Sequence, residues 1–61
     1  MPTRVLLIED DPAYYEYVSA MLDPQRFEVV GVEALTPAFA RLRAERFDVI
    51  LLDLTLPDAD G

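Results

Sequence analysis

Two apolar runs, each ending in acidic residues, constrain the fold of this chain more than any other feature. The first is RVLLI at residues 4–8, followed by Glu9 and Asp10, and the second is FDVILLD at residues 47–53, which closes on Asp53. Uninterrupted runs of β-branched and aliphatic residues are typical of strands buried on both faces of a parallel sheet. Ligands bind outside the carboxyl ends of such strands. The pattern therefore predicts several carboxylates at one edge of an α/β sheet.

The composition narrows the kinds of site that the chain could hold. The sequence has 61 residues, enough for one small domain at most, and contains neither cysteine nor histidine. A disulfide and a structural zinc site are therefore not expected. The formal net charge of −7 argues against binding to nucleic acid or to an anionic membrane. We find no signal-peptide pattern and no apolar run long enough to cross a bilayer, and we expect a cytoplasmic protein.

Helical patterns separate the apolar runs. Asp11 followed by Pro12 predicts a helix start with Asp11 as the N-cap, and Thr36 followed by Pro37 predicts a second start of the same kind. Residues 27–32 predict a middle strand. The first helix is expected to bury an apolar stripe made of Tyr14, Tyr17, Val18, Met21 and Leu22. The second is expected to bury Ala38, Phe39 and Leu42, together with Phe47 beyond its end.

The strand–helix–strand–helix–strand alternation predicts an α/β fold. Right-handed crossovers make the three strands parallel. The first and third strands are the more apolar, and we expect them to be neighbours in a sheet with the spatial order 2-1-3.

Glu9, Asp10 and Asp53 would then lie close together, because adjacent parallel strands are about 4.8 Å apart. Two negative charges about 4 Å apart repel by roughly 4 kcal/mol at an effective dielectric constant of 20. A raised pKa, an arginine or a bound cation could relieve that repulsion. The chain has five arginines and no lysine, and no arginine is near either strand end in sequence. This favours Mg²⁺, beside which an aspartate can accept a phosphoryl group. Spacing alone is equally compatible with strands that simply end in polar loops.

The remaining acidic residues are expected to be structural. Asp11 is interpreted as a helix cap, Asp48 as a residue before a strand without a chemical role, and Asp58 and Asp60 as solvated turn residues.

Two segments resemble the receiver domain of bacterial two-component response regulators. They are VLLIEDDP at residues 5–12 and ILLDLTLPDADG at residues 50–61, and they occur together at the spacing of that family. The resemblance implies a flavodoxin-like fold with five parallel strands in the order 2-1-3-4-5. Residues 1–61 would be a partial receiver domain with the first three strands and two helices. The switch Ser or Thr, the phosphate-binding lysine and any output domain would lie outside this sequence.

The resemblance also implies a role for each matching residue. Asp53 corresponds to the phospho-accepting aspartate, and Asp10 to the carboxylate that binds Mg²⁺ directly. Glu9 corresponds to the neighbour that holds the metal through water, and Thr55 to the position whose backbone carbonyl is a metal ligand. The residues that shape the following loop would be Pro57 and Gly61.

The implied function is a signalling switch rather than an enzyme, with a sensor histidine kinase or a phosphotransfer protein as partner and Mg²⁺ as cofactor. An exposed third strand would also promote self-association, unless the remainder of a longer chain covers it. A pseudo-receiver that is not phosphorylated, or a truncated interaction module, is the alternative. A haloacid-dehalogenase-like phosphohydrolase is more remote, because that pattern requires an acid where this chain has Thr55.

Overall fold

Strands and helices alternate along the computed structural model, which describes residues 1–52. The elements are β1 (Thr3–Ile8), α1 (Pro12–Met21), β2 (Phe27–Val32), α2 (Leu35–Ala44) and β3 (Val49–Leu52). The predicted alternation is confirmed. The predictions for residues 53–61, which include Asp53 and Thr55, fall outside the described residues.

β1 lies in the centre of a three-stranded parallel sheet with the order β2-β1-β3, as predicted. Residues 5–8 of β1 are at most 4% exposed. On one face, Leu6 and Ile8 pack with Val32 of β2 and Ala38 of α2 in the main hydrophobic cluster. Three parallel strands in this order, with a helix in each connection, form the first part of a flavodoxin-like fold.

The opposite face of the sheet is covered by α1. Successive strand residues point to opposite faces, so Leu7 faces away from the main cluster. Its partner on β2 is Gly31, and the Tyr15 ring of α1 lies against Gly31 so closely that a Cβ atom there would overlap it. The two helices therefore cover different faces of the sheet, and β1 is buried between them.

The start of α1 is as predicted. Asp11 has an extended backbone and its Oδ1 accepts a hydrogen bond of 2.9 Å from the amide of Ala13, while Pro12 occupies the first helical position. A carboxylate oxygen in this position satisfies one of the amides that a helix start leaves without an intrahelical partner.

The predicted apolar stripe of α1 is confirmed for Val18 and Leu22, which are half-buried, and is wrong for its other three residues. Tyr14, Tyr17 and Met21 are 53%, 63% and 67% exposed, and the rings of Tyr14 and Tyr17 contact each other on the outer surface. The more buried residues recur at helical spacing on a face that overlaps the predicted one; they are Tyr15, Val18, Ser19 and Leu22. The helix also has aromatic and aliphatic residues beside this face, so periodicity alone located its edge wrongly.

The predicted start of α2 is also wrong. The helix begins at Leu35, with Ala34 as a cap residue that offers no side-chain hydrogen bond, so Thr36 lies inside the first turn. Ala38 is buried as predicted, whereas Phe39 is 54% exposed.

β3 is exposed along its whole length. It pairs with β1 on one side, and within the described residues no strand pairs with its other side. Its four apolar side chains are between 36% and 50% exposed. An apolar edge strand of this kind is a template for pairing with another strand.

Arg4 joins four segments at the amino end of the sheet. Its Nε lies 2.9 Å from Glu28 of β2, and its Nη2 lies 2.8 Å from Glu45 at the end of α2. Its Nη1 donates a hydrogen bond of 2.9 Å to the carbonyl of Arg46, and the guanidinium stacks 4.8 Å from the centre of the Phe47 ring. A planar guanidinium with five donors suits such a junction better than an ammonium would.

This network makes the stability of the chain depend on pH. Hydrogen bonds from Arg4 and then from Arg41 hold the pKa of Glu45 below its ordinary value of 4.5. An acid with a lowered folded-state pKa stabilises the fold above its unfolded-state pKa, and that contribution is lost as the pH falls through the folded-state value.

Glu45→Gln should therefore lower the melting temperature at pH 7, and the difference from the unsubstituted protein should shrink from about pH 4.5 downward. Thermal melts of the full-length protein from pH 7 to pH 3 measure this. Glu16→Gln, at an exposed position of α1, is the control, and a Glu45 difference that stayed constant with pH would contradict the assignment.

Candidate functional site

Glu9 and Asp10 follow β1 at the carboxyl edge of the sheet. Glu9 is 4% exposed although it carries a carboxylate, whereas Asp10 is exposed. The amide of Glu9 donates a hydrogen bond of 2.9 Å to the carbonyl of Val32, so the pairing of β1 with β2 continues one residue past the strand. The Oε1 of Glu9 accepts a hydrogen bond of 3.1 Å from the amide of Asp11. Backbone hydrogen bonds thus hold the buried acid in a defined orientation, next to an acid that faces solvent.

Both acids line a cleft of about 300 Å³ between the ends of β1 and β2. The lining residues are Glu9, Asp10, Pro12, Tyr15, Gly31, Val32 and Glu33. Three carboxylates therefore border one opening at the edge where parallel sheets bind ligands. The volume is at the lower limit for a small-molecule site, and the acidic lining favours a cation over an anion.

Tyr15 forms a wall of this cleft and was missed as a site residue by the sequence analysis. Its ring lies across Gly31, the residue before the last in β2. A glycine inside a strand often marks the close approach of another group, and this was the available signal. Glu33 was missed as well, although it follows β2 as Glu9 follows β1, and that position was the available signal.

The structure brings together two of the four residues predicted to bind the metal. Glu9 and Asp10 are adjacent at the same edge, and the predicted cap role of Asp11 is confirmed. Asp53 and Thr55 lie outside the described residues. Within residues 1–52, no group of three acidic, histidine or cysteine side chains could hold a metal ion.

The donors that are described fit Mg²⁺ in kind. Magnesium prefers oxygen ligands, retains several waters and is held by few carboxylates. One exposed carboxylate next to a buried, oriented one could supply a direct and a water-mediated ligand. The described residues thus offer part of a coordination set rather than a complete one.

The register of the β1–β3 pairing relates Asp53 to the acids that follow β1. The last paired residues of the two strands are Ile8 and Leu52. In the sequence, Glu9 follows Ile8 and Asp53 follows Leu52. Glu9 and Asp53 are predicted to share a site, and in the sequence each comes directly after one member of this last pair.

A search for membrane-spanning segments, made over residues 1–52, found no helix with the length and apolar character that a bilayer requires.

Comparisons with known proteins identify one family. The family model described as the response regulator receiver domain matches residues 5–61. The chain is 38% identical to the transcriptional regulatory protein KdpE of Staphylococcus aureus over 61 residues, which are 100% of this chain and 26% of that protein. It is 38% identical over 58 residues to the sensor protein GacS of Pseudomonas syringae, covering 95% of this chain and 6% of that protein. It is 39% identical over 58 residues to the swarming motility regulation protein RssB of Serratia marcescens, covering 95% of this chain and 26% of that protein.

The chain thus spans about a quarter, or less, of the length of these curated relatives. No solved structure gives a significant match.

The contact between Tyr15 and Gly31 predicts a specific energetic coupling. Gly31→Ala should lower the free energy of unfolding by about 1 kcal/mol, because the added methyl group displaces the Tyr15 ring. In a Tyr15→Ala background the same substitution should be neutral or slightly stabilising, since the ring is absent and alanine restricts the unfolded chain. Urea unfolding of the four variants of the full-length protein gives the coupling energy. An equal effect of Gly31→Ala in both backgrounds would show that the ring is not what the methyl group meets.

Proposed function

This chain belongs to the response regulator receiver domain family, and we propose that it accepts a phosphoryl group on Asp53 from a histidine kinase or phosphotransfer protein, with Mg²⁺ as cofactor. Receiver domains are signalling modules of two-component systems. The proposal makes this chain a switch whose own residues promote its phosphorylation, and not an enzyme that turns over a separate substrate.

The observation that carries the proposal is the end of the β1–β3 pairing. Ile8 and Leu52 are partners, and each is followed in the sequence by an acid. A buried, oriented Glu9 and an exposed Asp10 already border the cleft at this edge. An aspartate that continued from Leu52 would meet them at about the spacing of neighbouring strands, about 4.8 Å.

The metal in this proposal is held by oxygen atoms of the chain. Asp10 and Asp53 would bind it directly through their carboxylates, the backbone carbonyl of Thr55 would be a third ligand, and Glu9 would bind through water. When bound, Mg²⁺ neutralises negative charge on the phosphoryl oxygens and on the acids around them.

The transfer itself needs positioning rather than proton chemistry by the protein. A carboxylate oxygen of Asp53 forms the new bond to phosphorus, and the phosphorus–nitrogen bond to the donor histidine breaks. The electron pair of that bond stays on the nitrogen that held the phosphoryl group, and the ring leaves as neutral imidazole because its other nitrogen already carries a proton in the reacting donor. The chain contributes the nucleophile and the fixed acids of the β1 end, which orient it.

Phosphorylation would act by adding negative charge at a strand end. An aspartyl phosphate carries more negative charge than the carboxylate it replaces, and this added charge would shift the equilibrium between two arrangements of the domain surface. The relatives include regulators and a sensor protein, so the proposal concerns the accepting step and leaves the output open. A cytoplasmic location, where a kinase would reach the chain, is part of the proposal.

The exposed edge of β3 supports a second part of the proposal, concerning what pairs with the sheet. Its side chains are 36% to 50% exposed, and the chain covers only 26% of the regulators it resembles. We propose that a further strand of a longer chain covers this edge, and that a second copy pairs there when such a strand is absent.

Acetyl phosphate, a small phosphoryl donor, tests the function directly. Its phosphoryl group should move to Asp53 of the full-length protein with release of acetate, adding the mass of one phosphoryl group in intact-mass measurements. Asp53→Asn should abolish the addition, since an amide does not form the acyl phosphate. Labelling that survives this substitution would contradict the assignment of Asp53, and an absence of labelling in the unsubstituted protein would favour the pseudo-receiver alternative.

The metal ligands are tested by a pair of substitutions matched in charge. Asp10→Asn should raise the Mg²⁺ concentration needed for half-maximal labelling by at least about tenfold, because a direct ligand is lost. Asp11→Asn removes the same charge one residue away, and asparagine caps a helix as well as aspartate does, so its Mg²⁺ dependence should change by less than about twofold. Equal shifts in the two variants would show that net charge, not ligation by Asp10, sets the dependence.

A further inference from the structure

Asp48 contacts β1 at the edge of the sheet opposite the acids. Its Oδ2 accepts a hydrogen bond of 2.9 Å from the amide of Arg4, and its own amide donates one of 2.9 Å to the carbonyl of Arg4. The two residues therefore exchange hydrogen bonds in both directions, one step before the first pair of the β1–β3 ladder, Val5 with Val49. From the sequence, Asp48 is expected to be a residue before a strand without a chemical role.

The apolar pattern of β3 does not specify its register by itself. Its four residues are Val, Ile, Leu and Leu, all four are partly exposed, and they face Val, Leu, Leu and Ile on β1. A shift by one residue would exchange one aliphatic side chain for another on either face. Register is weakly specified where the two faces of a strand are alike. A polar contact at one end of the strand can therefore decide which alignment is populated.

Asp48 is well suited to that task because the neighbouring residues are also held by Arg4. Glu45, Arg46 and Phe47 each contact the Arg4 guanidinium. The segment that leads into β3 is thus attached to the first residues of β1 before the ladder begins. The Asp48 Oδ2 accepts its hydrogen bond from the amide of Arg4 in the register present, and a slip of one residue would move Asp48 by about 3.3 Å along the strand from that amide.

We propose that Asp48 is a positioning residue for phosphorylation, which sets the β1–β3 register that brings Asp53 to Glu9 and Asp10. This inference rests on the proposed function of Asp53. A slip of one residue moves a strand by about 3.3 Å and turns its side chains to the other face. Oxygen ligands of magnesium lie at about 2.1 Å with little tolerance, so a slipped strand cannot share an ion with the β1 acids.

The test compares substitutions of Asp48 by the rate of labelling with acetyl phosphate, using the full-length protein. Asp48→Ala removes the acceptor and should slow labelling of Asp53 by about ten- to a hundredfold, the range that small misplacements of reacting groups produce. Asp48→Asn retains an oxygen at the same reach and should label within about twofold of the unsubstituted protein. Asp48→Glu retains the charge but displaces the oxygen by one methylene group, and it should be slow.

A matched control separates register from general stability. Asp23 accepts a hydrogen bond of 2.9 Å from the amide of Gln25 in the turn before β2, so Asp23→Ala deletes a similar bond away from the β1–β3 pair. It should lower the melting temperature without slowing the labelling. Slowing by Asp23→Ala equal to that by Asp48→Ala would overturn the register role, as would a fast Asp48→Ala. If Asp48→Ala does not fold, the order of the other two variants decides, and a fast Asp48→Glu with a slow Asp48→Asn would assign the effect to charge.

The outcomes also distinguish this inference from the function on which it rests. Labelling that fails in the unsubstituted protein, or that survives Asp53→Asn, removes the proposed function. Normal labelling that depends on Asp53 and is unchanged by Asp48→Ala removes only the role of Asp48.

Discussion

The pairing of β1 with its two neighbours is the constraint on which the rest of this structure depends. Residues 5–8 are buried because β2 and β3 flank them and the two helices cover their faces. The same pairing sets which residues emerge together at each edge of the sheet. At the carboxyl edge, Glu9 and Asp10 emerge beside the last residue of β3, Leu52. The packing of an apolar strand therefore determines where the polar residues of the candidate site lie.

The positive and negative residues at the two ends of β1 lie far apart. Arg4 lies five residues before Glu9, a separation of about 16 Å in an extended strand, which exceeds the screening length of about 8 Å at physiological salt. Arg4 is moreover engaged by Glu28 and Glu45. The arginine therefore organises the amino edge and does not neutralise the acids at the other edge.

Particular residues show how much the sequence could predict. The burial of β1, the strand order and the Asp11 cap were predicted correctly, because each depends on a local pattern with a single physical reading. The buried face of α1 was predicted only in part, because Tyr14 and Tyr15 are adjacent and periodicity fits either. Tyr15 is the half-buried one of the two because its ring packs over Gly31.

The roles of Arg4 and Asp48 involve partners more than 40 residues away, and no local pattern shows such contacts. Within the candidate site, Glu9 and Asp10 were predicted from their place after a strand, whereas the Tyr15 wall required the fold.

The central claim is that acids from the ends of β1 and β3 share one cation. Manganese is a paramagnetic substitute for Mg²⁺ and broadens the NMR signals of nuclei close to it. In the full-length protein, substoichiometric Mn²⁺ should broaden the amide signals of Glu9, Asp10 and Asp53 together, while those of Arg4 and Asp48 at the opposite edge stay sharp. Broadening confined to residues 9 and 10, with Asp53 unaffected, would contradict the account.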